Sequence, residues 1–295
     1  MLYVVLYIFC SVLLGFIFKL YHRYGVDFFQ AIVFNYFTCL ACGWLHLGQF
    51  PYAAGPGAAK WLPYALFLGV VFISGFNGAA ATVRYFGVTV SQIMQKMSIL
   101  LTVPFAILVY HESSGWLKII GFILALASIV AVNWPKTEVS FSAEGSKNPA
   151  TARWWIPLGT WLLAGVIEVT FLWTNGEHLT EPGDIAFIST VFGTAGLVGL
   201  TVATVGWLRG SLVFSWRNVV GGIVLGIPNY GSMLFLLMAL GTGLEGSFVF
   251  PVGNVAIILT TTFGAVFFFR EHLSRINWMG IALAVAAIVL ISGLV

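Results

Sequence analysis

The chain has 295 residues, 60% of them hydrophobic and 8% charged, with a net charge of +3 and a mean hydropathy of +0.99. Soluble domains carry about 25% charged residues, so this chain lacks the polar surface to cover itself in water. A small, scattered positive charge also excludes a nucleic-acid binder, which needs a dense basic face.

A hydrocarbon core of ~30 Å takes about 20 apolar residues per helix, and ten segments meet that length: 2–21, 28–47, 62–81, 87–110, 115–134, 154–174, 185–207, 218–240, 246–269 and 275–294. A β-barrel would instead show ~10-residue alternating stretches. The predicted fold class is therefore an all-α polytopic membrane protein with ten transmembrane helices. Its 33 glycines suit closely packed membrane helices, where small residues let backbones approach. The first segment has no basic leader and no small-residue cleavage site, so it is read as a retained helix. Cys10, Cys39 and Cys42 lie in apolar runs without ligand-like neighbours and read as small buried hydrophobes. No metal site and no cofactor are expected.

Most connectors are short. The exception is 135–153 (PKTEVSFSAEGSKNPATAR), polar and holding two prolines, which reads as a linker between five helices in 1–134 and five in 154–295. Part of each half is the same stretch. Shifting the sequence by 159 residues places Gly87 on Gly246, Val90 on Val249, Glu112 on Glu271 and Gly121 on Gly280. In each copy an apolar segment ends in a short polar knot containing its Glu, and the next segment starts at once. Each copy is an antiparallel hairpin, and Glu112 and Glu271 are expected to cap turns and helix starts.

Loop charge sets the orientation. With ten spans, ten of the 13 Lys and Arg fall on one side, Lys60 and Lys118 fall on the other, and Lys96 lies inside the fourth span. The positive-inside rule puts the 135–153 linker in the cytoplasm and both termini outside. Because each half has an odd number of spans, the halves are predicted to be inverted repeats, as in many secondary transporters. Pro104, Pro228 and Pro251 fall inside spans and allow kinks.

Ionisable groups deep in a membrane are costly, and they usually face a cavity or a partner. Lys96 in the fourth span and Glu168 in the sixth stand out. They are predicted to line a central cavity, Lys96 facing an anionic group and Glu168 a proton or a cationic group, with a mutual salt bridge as the alternative. Gln92, Gln95 and Lys96 share one helix face at i, i+3 and i+4, and Asn254 is the repeat partner of Gln95. Asn35, Asn77 and Asn229 are further candidate substrate-binding residues, with Tyr36 and Trp173 as candidate cavity walls. The sequence contains no GxxxxGK[ST], HExxH or GxSxG motif. No catalytic residue is therefore assigned, and any energy would have to come from ion or substrate gradients.

The Glu271-x-Leu273-Ser274 turn, followed by Gly280 and a small-residue apolar helix, resembles the EamA-type carriers of the drug/metabolite transporter superfamily. Ten spans in two halves of five match that family along essentially the whole chain, although the first copy has Ser113 and Ser114 in place of Leu-Ser. The resemblance implies alternating access between inverted bundles, with amino acids, other metabolites, nucleotide sugars or drugs as cargo. Glu168 is in the first helix of the second half, where the related small multidrug resistance proteins hold a proton-coupling Glu; the region around Ser11 in the first half has no acid.

The expectation is a secondary transporter, not an enzyme. It would move a small metabolite or drug, such as an amino acid or amphipathic compound, by proton-coupled export across a bacterial inner membrane. Its partners would be substrate, lipid bilayer and protons, with no nucleic acid, and its state monomer or homodimer. The alternatives are an organic-anion, nucleotide-sugar or sugar-phosphate exchanger without proton coupling and, more remotely, a membrane or lipid-handling enzyme using His111, His178 or His272 beside their acidic neighbours.

Overall fold

The structure is a computed structural model that describes residues 1–49, 58–86, 88–134, 154–269 and 273–292. Within those residues it is all helix: α1 (Leu2–Tyr24), α2 (Phe28–Leu47), α3 (Ala58–Phe86), α4 (Val88–Lys96), α5 (Ile99–Tyr110), α6 (Trp116–Val132), α7 (Trp155–Gly176), α8 (Ile185–Leu208), α9 (Trp216–Leu240), α10 (Gly246–Phe269) and α11 (Arg275–Ser292). Among the described residues nine stretches are long and apolar enough to cross a membrane, and Trp116–Val132 is a shorter apolar helix. The chain is thus a multi-pass helical membrane protein by the length and composition of its helices. The predicted segments match these helices with one difference. The segment expected to run unbroken over 87–110 is interrupted at Met97 and Ser98, leaving α4 and α5. The linker 135–153 and the Glu271–His272 knot lie outside the described residues.

Local chemistry accounts for many of the helix ends. Gly25 (φ 62) and Gly48 (φ 70) close α1 and α2 in the left-handed conformation that glycine adopts without strain. Asp27 caps α2 by accepting from Gln30 N, and Asp184 caps α8 by accepting from Phe187 N. Burial raises the Asp184 carboxyl above its ordinary value despite these backbone bonds. Ser274 and Asn277 cap α11 reciprocally. Ser274 N donates to Asn277 Oδ1 at 2.9 Å, and Asn277 N donates to Ser274 Oγ at 3.2 Å.

The chain forms two compact units, Met1–Phe76 with Thr170–Leu244 and Asn77–Val169 with Glu245–Val295. In the first, α2 packs on α8 and α9, and α1 packs on α9. Glycine sets the closeness of the α2–α9 seam. A Cβ on Gly222 would lie 2.4 Å from Phe34 Cβ and 2.7 Å from Ala31 O, and one on Gly226 would lie 2.5 Å from Thr38 Cβ. Polar groups tie α1 and α2 to α9 and the turn before it. Tyr21 Oη donates to Gly221 O (2.7 Å), Asp27 N to Asn218 Oδ1 (2.9 Å), Gln30 Nε2 to Val213 O (3.0 Å), and Cys39 Sγ to Gly226 O (3.3 Å).

In the second unit α6 and α11 pack closely, and α10 packs on α5, α6 and α11. The α6–α11 contact is reciprocal. A Cβ on Gly121 would meet Leu290 and Ile291, and one on Gly280 would meet Ala131 and Val132. Each pair maps onto the other by the 159-residue shift.

Two carboxylates hold the helix ends of this unit. Glu112 accepts from Gly246 N and Ser247 N, both at 2.8 Å, so it caps α10 and not the α6 that follows it in sequence. Glu245 accepts from Ser113 N, Ser113 Oγ and the Lys118 ammonium. Burial pulls the Glu245 carboxyl up, but the bonds from Lys118 and Ser113 outweigh it and hold the group below its ordinary value. A depressed carboxylate contributes stability above the unfolded pKa, about 4.3 for Glu, and loses it as pH falls through the folded one. Glu245→Gln is therefore expected to melt below the parent protein at neutral pH and to converge with it on acidification, followed by thermal unfolding in detergent. A gap independent of pH would show that the ion pair is not the cause.

Candidate functional site

The interruption between α4 and α5 lies beside a group of polar side chains in the second unit. Met97 N still bonds Ile93 O (2.8 Å), but Leu100 N bonds Met97 O (3.0 Å) and Leu101 N bonds Ser98 O (2.8 Å), the tighter i→i−3 winding. A neighbouring helix also uses the Met97 carbonyl, which accepts from Trp161 Nε1 at 2.9 Å. Pro104 is not at the break; it lies inside α5. Broken helices persist at membrane depth where other elements take up the freed backbone groups.

The break changes the setting of Lys96, expected in mid-helix: it is the last residue of α4, where its charge opposes the negative end of the helix dipole. Its Nζ donates to Asn254 Oδ1 at 3.0 Å. The Asn254 amide reaches on to Glu168, Nδ2 to Oε1 at 3.5 Å, and the other Glu168 oxygen accepts from Thr102 Oγ1 at 2.6 Å. Asn254 and Thr102 are buried, and Lys96 and Glu168 are partly buried. α7 supplies one face to this region. Trp161 bonds Met97, Gly165 lets Leu101 approach (a Cβ there would lie 2.4 Å from Leu101 Cδ1), and Glu168 meets Thr102. These residues recur at i, i+4 and i+7, one helical stripe.

The two charges that the sequence singled out therefore meet through an amide. Among the described residues the ion pair closer than 4 Å is Lys118–Glu245, and Lys96 and Glu168 share Asn254 instead. Gln92 and Gln95 are exposed, and Gln95 Nε2 donates to Ser91 O on its own helix (3.2 Å). Asn77 is exposed on α3. The remaining candidates belong to the first unit. Asn229 Nδ2 donates to Asn35 Oδ1 at 3.1 Å, both side chains buried. Tyr36 is fully buried, stacked on Phe192 at 5.9 Å and edge-on to Phe76. Trp173 Nε1 donates to Tyr64 Oη at 3.2 Å.

The sequence reading missed Thr102 and Trp161. Thr102 lies only six residues after Lys96, but threonine is common in membrane helices, bonding its own backbone, as Thr38 does to Phe34 O. Trp161 carries no distinguishing signal, because tryptophan is common towards the ends of membrane helices. Among the described residues there is no cluster of three or more His, Cys, Asp or Glu suited to a metal. His111 and His178 sit at helix C-terminal ends with left-handed backbone, φ 53 and 49.

No protein-family model matches the chain. An uncharacterized protein of Haemophilus influenzae is similar to it, 27% identical over 289 residues that make up 95% of this chain and 94% of that protein. A solved crystal structure matches with a TM-score of 0.76 over 99% of this chain and 96% of that one, at 13% identity. At that identity the likeness is one of fold, and it extends along the whole chain.

Proposed function

We propose that the chain is a secondary active transporter of the drug/metabolite type, moving a small metabolite or drug across a bacterial inner membrane by alternating access. One observation carries this reading: a lysine at a break between two membrane helices and a carboxylate on a third are joined by a buried asparagine. A purely structural helix gains nothing from such groups, because each is costly at membrane depth. Transporters place substrate and ion sites at discontinuous helices of this kind. The reciprocal packing of Gly121 and Gly280 supports an inverted duplication of 1–134 and 154–295, since antiparallel helices related by a two-fold axis make such mirrored contacts. The linker 135–153 is cytoplasmic in this reading, and the protein works as a monomer or homodimer without catalysis or cofactor.

Glu168 is the proton-responsive group and Lys96 the anchor for negative charge. The exchanger alternative draws on the same Lys96 ammonium, which would take a phosphate or carboxylate with no proton coupling. Purified protein in liposomes decides between them. Uptake driven by an imposed pH gradient supports the proton-coupled carrier, pH-insensitive counter-exchange of organic anions supports the exchanger, and neither activity across both panels overturns transport. Lys96→Met is expected to remove binding of substrates carrying a carboxylate or phosphate and to spare lipophilic cations, read by radioligand binding. Equal loss of both classes would give Lys96 a structural role.

A further inference from the structure

The arrangement Lys96–Asn254–Glu168 also points to the chemistry of the cargo, and this inference rests on the transport reading above. A carboxamide presents an oxygen that accepts and a nitrogen that donates, held on one carbon. In Asn254 the oxygen takes the Lys96 ammonium at 3.0 Å, and the nitrogen faces the Glu168 carboxylate at 3.5 Å. The α-amino carboxylate headgroup has the same polarity with one more carbon between its ends: a carboxylate that accepts from an ammonium and an ammonium that donates to a carboxylate. We infer that Asn254 is a tethered stand-in for the headgroup of a zwitterionic substrate, whose carboxylate takes Lys96 and whose ammonium takes Glu168 as the asparagine withdraws.

Charge balance favours this class over the others. A lone organic anion would satisfy Lys96 but bring a second negative charge beside Glu168. A lone cation would satisfy Glu168 and face Lys96. In a site walled by apolar helices, like charges brought together without partners are strongly disfavoured. A zwitterion pairs both groups and adds no net charge, and its two full charges make stronger bonds than the neutral amide they replace. The asparagine is cheap to displace, because its contact with Glu168 is long and Thr102 continues to hold the other carboxylate oxygen at 2.6 Å. Asn254 has Val255 and Pro251 as buried neighbours on α10, so the amide reaches the site from a well-packed segment.

The test is thermal stabilisation of the purified full-length protein by the L-α-amino acids, taken one at a time. At least one is expected to raise the melting temperature. Its methyl ester, which keeps only the ammonium, and its N-acetyl derivative, which keeps only the carboxylate, are each expected to be at least ~100-fold less potent, as for sites built around a polar group that the analogue lacks. Asn254→Ala is expected to bind the same amino acid more tightly, because the competing amide is gone, whereas Lys96→Met and Glu168→Gln lose it. Equal potency of the ester or the N-acetyl form overturns the inference, as does stabilisation by lipophilic cations or sugar phosphates with no response to any amino acid. Weaker binding in a folded Asn254→Ala protein overturns the stand-in role. Counterflow in liposomes separates the two levels. Amino-acid binding without counterflow sinks the transport reading and leaves the zwitterion site standing. Counterflow of a lipophilic cation without amino-acid binding does the reverse.

Discussion

Glu168→Gln is expected to abolish uptake driven by a pH gradient while leaving the protein folded, monodisperse and melting close to the parent. The substitution is nearly isosteric, and a glutamine oxygen still accepts from Thr102 Oγ1, which now sits 2.6 Å from the carboxylate. What disappears is the capacity to carry a proton. A carboxylate at membrane depth is retained against a substantial insertion cost, and the groups around it hold its two oxygens separately: Thr102 on one, Asn254 on the other. Thr102→Val is the companion change. It deletes a charge-assisted bond worth about 1.5–3 kcal/mol and is expected to lower uptake without abolishing it, because the carboxyl remains. Undiminished pH-driven uptake in Glu168→Gln liposomes would remove Glu168 from coupling. Wholesale unfolding of the same variant would instead make it structural.

The second large effect is one of packing. Gly222→Ala is expected to destabilise the first unit by about 1–3 kcal/mol and to lower the melting temperature in detergent accordingly. The added Cβ would lie 2.4 Å from Phe34 Cβ, 2.7 Å from Ala31 O and 2.8 Å from Asn35 N. Two of those three atoms are backbone, and a Cβ has no rotamer that avoids them, so α2 and α9 must separate. Separation stretches the seam's hydrogen bonds, Cys39 to Gly226 and Asn229 to Asn35 among them. Gly159 on α7 is the control. A Cβ there meets nothing within 4 Å, so Gly159→Ala is expected to be neutral or stabilising by up to about 1 kcal/mol through helix propensity. Equal melting of the two variants would show that close approach at Gly222 does not limit stability.

Local chemistry alone made much of the architecture readable. Hydropathy is a property of single residues summed over a window, so the ten segments, their lengths and the 159-residue shift could be read without knowing which helix touches which. The cost of burying charge is equally local, and it picked out Lys96 and Glu168. That Asn254 joins them was not readable. Asn254 stood out as the repeat partner of Gln95, yet Gln95 bonds its own helix while Asn254 joins two residues 158 and 86 positions away. The break at Met97 and Ser98 was also hidden, because none of the residues there is a helix breaker. The expected kink site, Pro104, lies within α5, and the interruption coincides with a carbonyl that bonds Trp161, 64 positions away. Glu112 was expected to cap a turn or a helix start, and only packing showed that the helix is α10, 134 residues further on. Composition and periodicity thus determined which segments enter the membrane and which residues are costly there. The tertiary structure alone decided how those residues are satisfied, because a hydrogen bond between helices depends on which faces meet, and that is not a property of either helix alone.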